Sequence, residues 1–223
     1  MGKITVITPS VRPEGVELVE KALKRQTFKD FEWIVQGRDG DVPDGCVWTL
    51  NRDYNTAIRK AQGELIVSWQ DWTYAKPDTL ERFWTHYLLE PKTLVSAVGN
   101  KYTDDTWTVK TWQDPRERDD QGTFYPCYFN DIEWNLCSVP KQALYATGGF
   151  DEELDRFYGM DGYSVLDRLN LVGGWDFKLD QAIKSYSLEH GRPQDWEAKN
   201  AIHGPYEQRR QSYLAKPVLD YLR

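Results

Sequence analysis

In the stretch GELIVSWQDWTYAKPDTL (63–80), a short apolar and partly β-branched run from Leu65 to Trp69 stops at Gln70-Asp71. A buried strand there delivers one carboxylate to its C-terminal edge, which is where open α/β sheets bind ligands. Other side chains able to do chemistry lie in similar places. Arg12, in the loop after ITVIT, can meet a phosphate or a base, and Asp39 in QGRDGD can accept hydrogen bonds from a ribose or a base. Arg52 and Asn55 sit near a helix start, a natural position for a diphosphate. Asp161, in YGMDG, precedes a helix and is by position an N-cap candidate. Taken singly, each has an ordinary reading as a solvated loop charge or a helix cap.

The elements that must position these residues follow from periodicity. Ile4 to Thr8 reads as a strand, Glu14 to Arg25 as a helix with Val16, Val19, Ala22 and Leu23 on one face, and Phe31 to Val35 as a second strand. Such a βαβ crossover implies parallel strands, so the loops after Thr8 and Val35 open on the same edge as Asp71. Asn51 to Gln62 reads as a helix feeding the strand at Leu65. Asp78 is a candidate N-cap for a helix bearing Leu80, Phe83, Trp84, Tyr87 and Leu88. Leu94 to Val98 and Glu133 to Val139 are strand-like, Trp107 to Thr111 alternates as a half-exposed strand does, and Asp114 to Gly122 reads as a charged turn or mobile loop. Pro140 to Thr147 and Tyr163 to Leu171 read as helices, followed by a final strand and a loop containing His190. The tail from Gln194 to Arg223 mixes basic and apolar residues and is expected to dock on its own domain.

A chain of 223 residues buries a substantial core as one large domain, or as one domain with an extension. The net charge of −7 supplies no global basic field, which argues against binding nucleic acid mainly through phosphates. Three cysteines without a C-x-x-C pair read as reduced thiols rather than as a disulfide framework or a zinc site. The sequence shows neither a signal-peptide pattern nor an apolar run long enough for a membrane span, so a cytoplasmic protein is expected, with peripheral membrane association through the tail left open. Ten tryptophans and thirteen tyrosines, many in polar surroundings, suit sugar or base stacking, although large aromatics ordinarily fill cores and interfaces.

In order along the chain, ITVITPSVRP, FEWIVQGRDG, NTAIRKAQGELIVSWQDW, GGFDEELDRFYGMDGY and SLEHGRP resemble the landmarks of GT-A fold glycosyltransferases of family 2, from Ile4 to about His190. The resemblance implies a Rossmann-like α/β three-layer sandwich, with a mostly parallel central sheet and helices on both faces. It implies a GT-A domain over residues 1–190, with a nucleotide-sugar half to about 100 and an acceptor half beyond, and a C-terminal helical extension over 191–223. The implied activity is hexosyl transfer from a nucleotide-diphosphate sugar, a UDP-sugar above all, to a glycan or other hydroxyl acceptor, with inversion and with Mn²⁺ or Mg²⁺. Carried over residue by residue, Thr8, Pro9, Arg12, Asp39, Arg52, Asn55, Gln70 and Asp71 fall to the donor. Trp72, Trp134, Asp151 and Glu152 fall to the acceptor and sugar pocket, Asp161 to the general base, and Asp71 with His190 to the metal.

The sequence departs from that pattern in two places. Paired aspartates are usual after the second strand, whereas this chain reads Val35-Gln36-Gly37-Arg38-Asp39. The acidic motif has thinned to Gln70-Asp71-Trp72; Trp72 cannot ligate a metal and Gln70 offers at most a neutral oxygen. Metal binding is then weak, rests on Asp71 with His190, or is absent. The thinned motif also raises the alternative of a catalytically silent domain that binds nucleotide sugar or glycan. A lower-ranked alternative is glycosylation of a flipped nucleic-acid base, which an absence of duplex-DNA binding at low salt would eliminate.

Overall fold

The computed structural model describes residues 2–37, 41–120, 122–157, 161–189 and 203–223, with backbone alone at Asp161 and His203. Strands β1 (Ile4–Pro9), β2 (Phe31–Gln36) and β3 (Leu65–Trp69) pair in parallel, Ile4 facing both Phe31 and Leu65. β8 (Leu136–Pro140) is antiparallel to β3 and to β5 (Thr93–Tyr102), and β9 (Asp176–Leu188) is parallel to β5. The short β4 (Thr73–Ala75) closes the order β2-β1-β3-β8-β5-β9-β4, with β6 (Lys110–Trp112) on β5 and β7 (Phe124–Pro126) on β9. Thus β2, β1, β3, β5 and β9 run in one sense, and β8 enters the sheet at the edge where they leave it.

Period-two alternation in the strands separates two apolar layers. Val6, Leu65, Val67, Trp69, Val95 and Leu136 face helices α1 (Pro13–Lys24) and α3 (Thr79–Leu89), which bring Val19, Ala22, Leu23, Leu80 and Phe83. Ile7, Ile66, Leu94, Cys137 and Val139 face the other way, against α2 (Leu50–Lys60), α4 (Lys141–Thr147) and α5 (Asp161–Val172), which bring Tyr54, Ile58, Leu144, Val165 and Leu169. This is the three-layer α/β sandwich expected from the sequence, with helices on both faces. Burying each such Leu, Val, Ile or Phe side chain contributes about 1.5–3 kcal/mol.

Local chemistry sets the boundaries. Pro13 at the first position of α1 has no N–H to leave unpaired, and Glu14 follows in the positive first turn. α4 ends at Gly148, whose φ of 74° is the left-handed cap; a Cβ there would overlap the Leu219 backbone, so the tail can pass only because this residue is glycine. Leu219 N donates to Thr147 O and Tyr221 N to Gly148 O, at 2.9 and 3.1 Å. Helix α6 (His203–Ala215) precedes that segment and docks on α5, with Tyr206 donating to Asp167 at 2.5 Å.

Several boundaries differ from the sequence reading. The half-exposed strand expected from Trp107 is β6, displaced to Lys110–Trp112, because Trp107 takes a left-handed turn (φ 57°) and stacks on Tyr74 at 5.6 Å. β8 begins at Leu136 rather than Glu133, leaving Glu133-Trp134-Asn135 as its lead-in. Asp78 precedes α3 as expected, but its side chain makes no capping bond. The charged turn after Asp114 is tied down, since Asp114 is buried and Arg116 pairs with it. Among the described residues no helix is long and apolar enough to cross a membrane.

Candidate functional site

The parallel strands put the loops after β1 and β3 beside one another, and their side chains interlock. Thr8, the penultimate residue of β1, is buried; its hydroxyl donates to Trp69 O (2.8 Å) and accepts from Trp33 Nε1 (3.0 Å), tying β1 to the end of β3 and to β2. Pro9 ends β1, and Ser10 N donates to Gln36 O at 3.0 Å. Beyond it, Arg12 donates from Nε to Asp71 Oδ2 (2.8 Å) and from Nη2 to Asp71 Oδ1 (2.7 Å), a side-on fork. Ser10 Oγ donates to Asp71 Oδ2 at 2.5 Å and accepts Arg12 N at 3.0 Å. Asp71 is 6% exposed, whereas the Arg12 side chain keeps 37%.

The next residues turn away from that pair. Gln70 is fixed through its backbone N–H, which donates to Asn135 O at 2.9 Å. Trp72 adopts a left-handed backbone (φ 58°), and its N–H donates to Gly15 O at 3.2 Å. The Trp72 indole lies over α1, so a Cβ on Gly15 would come within 2.6 Å of its Nε1. Trp72 therefore braces the first turn of α1, a placement that its expected role in a sugar pocket did not anticipate.

Across β3, Trp134 occupies the lead-in to β8 at the same edge. Its carbonyl accepts from Ser68 Oγ, Ser68 Oγ also bonds the Tyr54 hydroxyl at 2.7 Å, and its ring meets Phe150 edge-on at 4.7 Å. A Cβ on Gly162 would overlap this indole, so the first turn of α5 rests directly on Trp134. That contact sets the first turn of α5, which begins at Asp161, beside the lead-in to β8. Beside Trp134, burial raises the Glu133 carboxyl above its ordinary range, while Arg116 Nη2, 3.3 Å away, opposes the shift.

The remaining expected residues are engaged around the turn after α4. Asn55 accepts Phe150 N at 2.8 Å and donates to Phe150 O at 2.9 Å and Glu152 Oε1 at 3.0 Å. Arg52 pairs with Glu152 at 3.3 Å. Asp151, fully buried, accepts Arg209 Nε at 2.5 Å and Nη2 at 2.9 Å, with the hydroxyls of Tyr213 at 2.6 Å and Tyr221 at 3.2 Å. Asp151 thus anchors the C-terminal segment instead of lining an open pocket. Burial pushes its carboxyl up, but Arg209 and Tyr213 more than compensate and hold it below the usual range. Asp39 and His190 lie outside the described residues.

Sequence reasoning missed several partners. Ser10 could have been found, standing two residues before Arg12 in the same loop. Arg168 is buried in α5 and donates to Thr147 O (2.7 Å) and Gly149 O (2.6 Å), binding the glycine turn to the helix that starts at Asp161. Asp155 caps α2 from a distant turn, accepting Asn51 N at 2.9 Å and Arg52 N at 3.3 Å, and burial pushes its carboxyl up to about 6 against those bonds. Neither has a signature in the local sequence.

Among the described residues, which do not include His190, the donor set around Asp71 is a poor fit for a divalent cation. Both Asp71 oxygens already accept hydrogen bonds from Arg12 or Ser10, Gln70 is neutral, and Trp72 is packed on Gly15. Among the described residues, no group of three His, Cys, Asp or Glu side chains is arranged to hold a metal ion.

No protein-family model and no curated protein matches the sequence. Solved structures do match. The S. aureus TarS 1–349 complex with UDP-GlcNAc superposes with a TM-score of 0.60 at 13% identity, over 85% of this chain and 59% of that one. The same TarS fragment with UDP gives a TM-score of 0.58 at 14% identity, over 94% and 72%. GalNAc-T7 with UDP, GalNAc and Mn²⁺ gives 0.63 at 8% identity, over 85% and 44%. The chain thus spans about three-fifths of the first of these, 59%, and less than half of GalNAc-T7, 44%.

Proposed function

From the GT-A fold that this chain shares with those glycosyltransferases, we propose that it transfers a sugar from a nucleoside-diphosphate donor to an acceptor hydroxyl. The observation that carries the reading is the convergence at one sheet edge of Ser10, Arg12 and Asp71 with Trp134 and the first turn of α5. In this reading the first group forms the donor side and the second the acceptor side.

In this reading a UDP-sugar lies over the loops after β1 and β3, its diphosphate toward Arg12 and the N-terminus of α1. The Asp161 carboxylate takes the proton of the acceptor hydroxyl as that oxygen bonds to the anomeric carbon. The bond from that carbon to the diphosphate oxygen breaks, its electron pair leaves with the diphosphate, and the anomeric centre inverts. Positive charge fixed beside the departing oxygens lowers the barrier most, because it is already in place when the charge develops. Trp134, packed on Gly162, supplies an aromatic wall at the start of α5, and Glu152, held by Asn55 and Arg52, shapes the acceptor side.

The test is a transfer assay over a panel of nucleotide sugars and glycan acceptors, read by mass spectrometry, with Asp161→Asn in parallel. Transfer by the wild type and its loss in the variant, with donor binding kept, supports the reading. Undiminished transfer by the variant refutes Asp161 as the base. Donor binding without transfer to any acceptor turns the reading to a domain that binds nucleotide sugar without chemistry.

A further inference from the structure

We infer that Arg12, clamped by Asp71, is the cation of the donor site and that the donor diphosphate binds without a divalent metal. This rests on the transferase reading above and deepens it. A carboxylate offers about four lone-pair positions. Asp71 commits Oδ1 to Arg12 Nη2 at 2.7 Å, and Oδ2 to Arg12 Nε at 2.8 Å and Ser10 Oγ at 2.5 Å. A metal ion would have to sit about 2.0–2.6 Å from one of those oxygens, and there it would meet a guanidinium of the same sign of charge. Three of the four positions are thus taken, and an ion at the remaining one on Oδ1 would stand against that guanidinium.

Among the described residues, the positions next to Asp71 do not help to hold an ion. Gln70 brings no charge, and a left-handed backbone at 58° turns Trp72 so that its indole packs on Gly15. A guanidinium supplies fixed positive charge and N–H donors to phosphate oxygens; with Nε and Nη2 on Asp71, Arg12 would meet the diphosphate end-on. Ser10 closes the arrangement by donating to Asp71 and accepting Arg12 N at 3.0 Å, which fixes the start of the Arg12 side chain as well as its end. With 37% of its side chain exposed at the mouth of the β1 loop, Arg12 is reachable by a ligand while its fork stays on Asp71. Asp71 is then a positioning residue for Arg12 rather than a metal ligand.

Calorimetric titration with uridine, guanosine and thymidine diphosphates, each in EDTA and in Mn²⁺, tests this. The wild type is expected to bind one of them with a Kd that changes by less than about twofold between the two conditions. Arg12→Ala is expected to weaken that binding about 10–100-fold in both, and Arg12→Lys, which keeps the charge but loses the fork, by less. Asp71→Asn is expected to weaken binding even in EDTA, where a metal ligand would have nothing to hold. Should Asp71→Asn fail to fold, Arg12→Lys in EDTA decides the point. Wild-type binding that requires Mn²⁺, or an Arg12→Ala variant that binds as well as wild type in EDTA, overturns the inference while leaving the transferase reading intact. Failure of all three diphosphates in both conditions removes that reading and this inference with it.

Discussion

Asp71 and Asp151 each lie buried, and each accepts the side-on fork of an arginine far away in sequence, Arg12 in one case and Arg209 in the other. The difference lies in what completes the shell. Around Asp151 it is two phenols, Tyr213 and Tyr221, from the same C-terminal segment as Arg209, so the carboxylate fastens the tail to the turn after α4. Around Asp71 it is Ser10, from the loop that carries Arg12, so the carboxylate fixes two adjacent loops at the sheet edge. One arrangement spends its charge on closing the fold. The other holds a cation where a ligand can reach it.

The sharpest break between the two regions should come from Asp161, the base in the proposed reading. Asp161→Asn should lower kcat about 10²–10⁴-fold while leaving diphosphate affinity unchanged; a parallel loss of affinity would mean that α5 belongs to the donor side. Asp151→Asn leaves Arg209 without its carboxylate and should cost about 3–5 kcal/mol, seen as a lower urea midpoint, with unchanged diphosphate affinity per folded molecule. Arg12→Ala should behave in the opposite way, losing affinity while the urea midpoint moves little. If both arginine pairs prove equally costly to stability, the distinction between a clasp and a site collapses.

Smaller effects sharpen the picture. Gly162→Ala drives a methyl into the Trp134 indole and should cost about 1–3 kcal/mol of overpacking, lowering kcat more than it raises donor KM. A wild-type kcat in that variant would show that α5 shifts without moving its base. The smallest expected effect is in the pH dependence of stability. Asp155, pushed up to about 6 by burial, holds its proton in the folded state between its unfolded value near 3.8 and about pH 6, so its term makes stability fall as pH rises through that window. Asp151, held low, acts in reverse: its contribution is present above 3.8 and is lost on further acidification. Urea midpoints from pH 3 to 7 should show both limbs, and Asp155→Asn should flatten the upper one.

Much of the edge that carries Arg12 and Asp71 was legible because its information is local. Leu65 to Trp69 ends where its apolar run ends, and a parallel βαβ unit leaves Arg12 and Asp71 on one edge whatever the rest of the chain does. The turn after α4 was less legible. Asp151 and Glu152 are loop carboxylates in GGFDEE, and nothing nearby announces that Arg209, Tyr213 and Tyr221 return to cover the first of them. Trp72 reads as an exposed aromatic in a polar stretch, yet a left-handed backbone turns it under α1.

By itself the sequence determined the layers, the order of most elements and the edge at which chemistry is to be sought, because apolar periodicity and crossover handedness act over short stretches of chain. Only the tertiary structure decided which aspartate meets which arginine. Those pairs close over 58 residues between Asp151 and Arg209, and over 59 between Arg12 and Asp71. At such separations an ion pair leaves no periodic trace in the sequence; it exists only because the packed sheet and helices hold both partners in place.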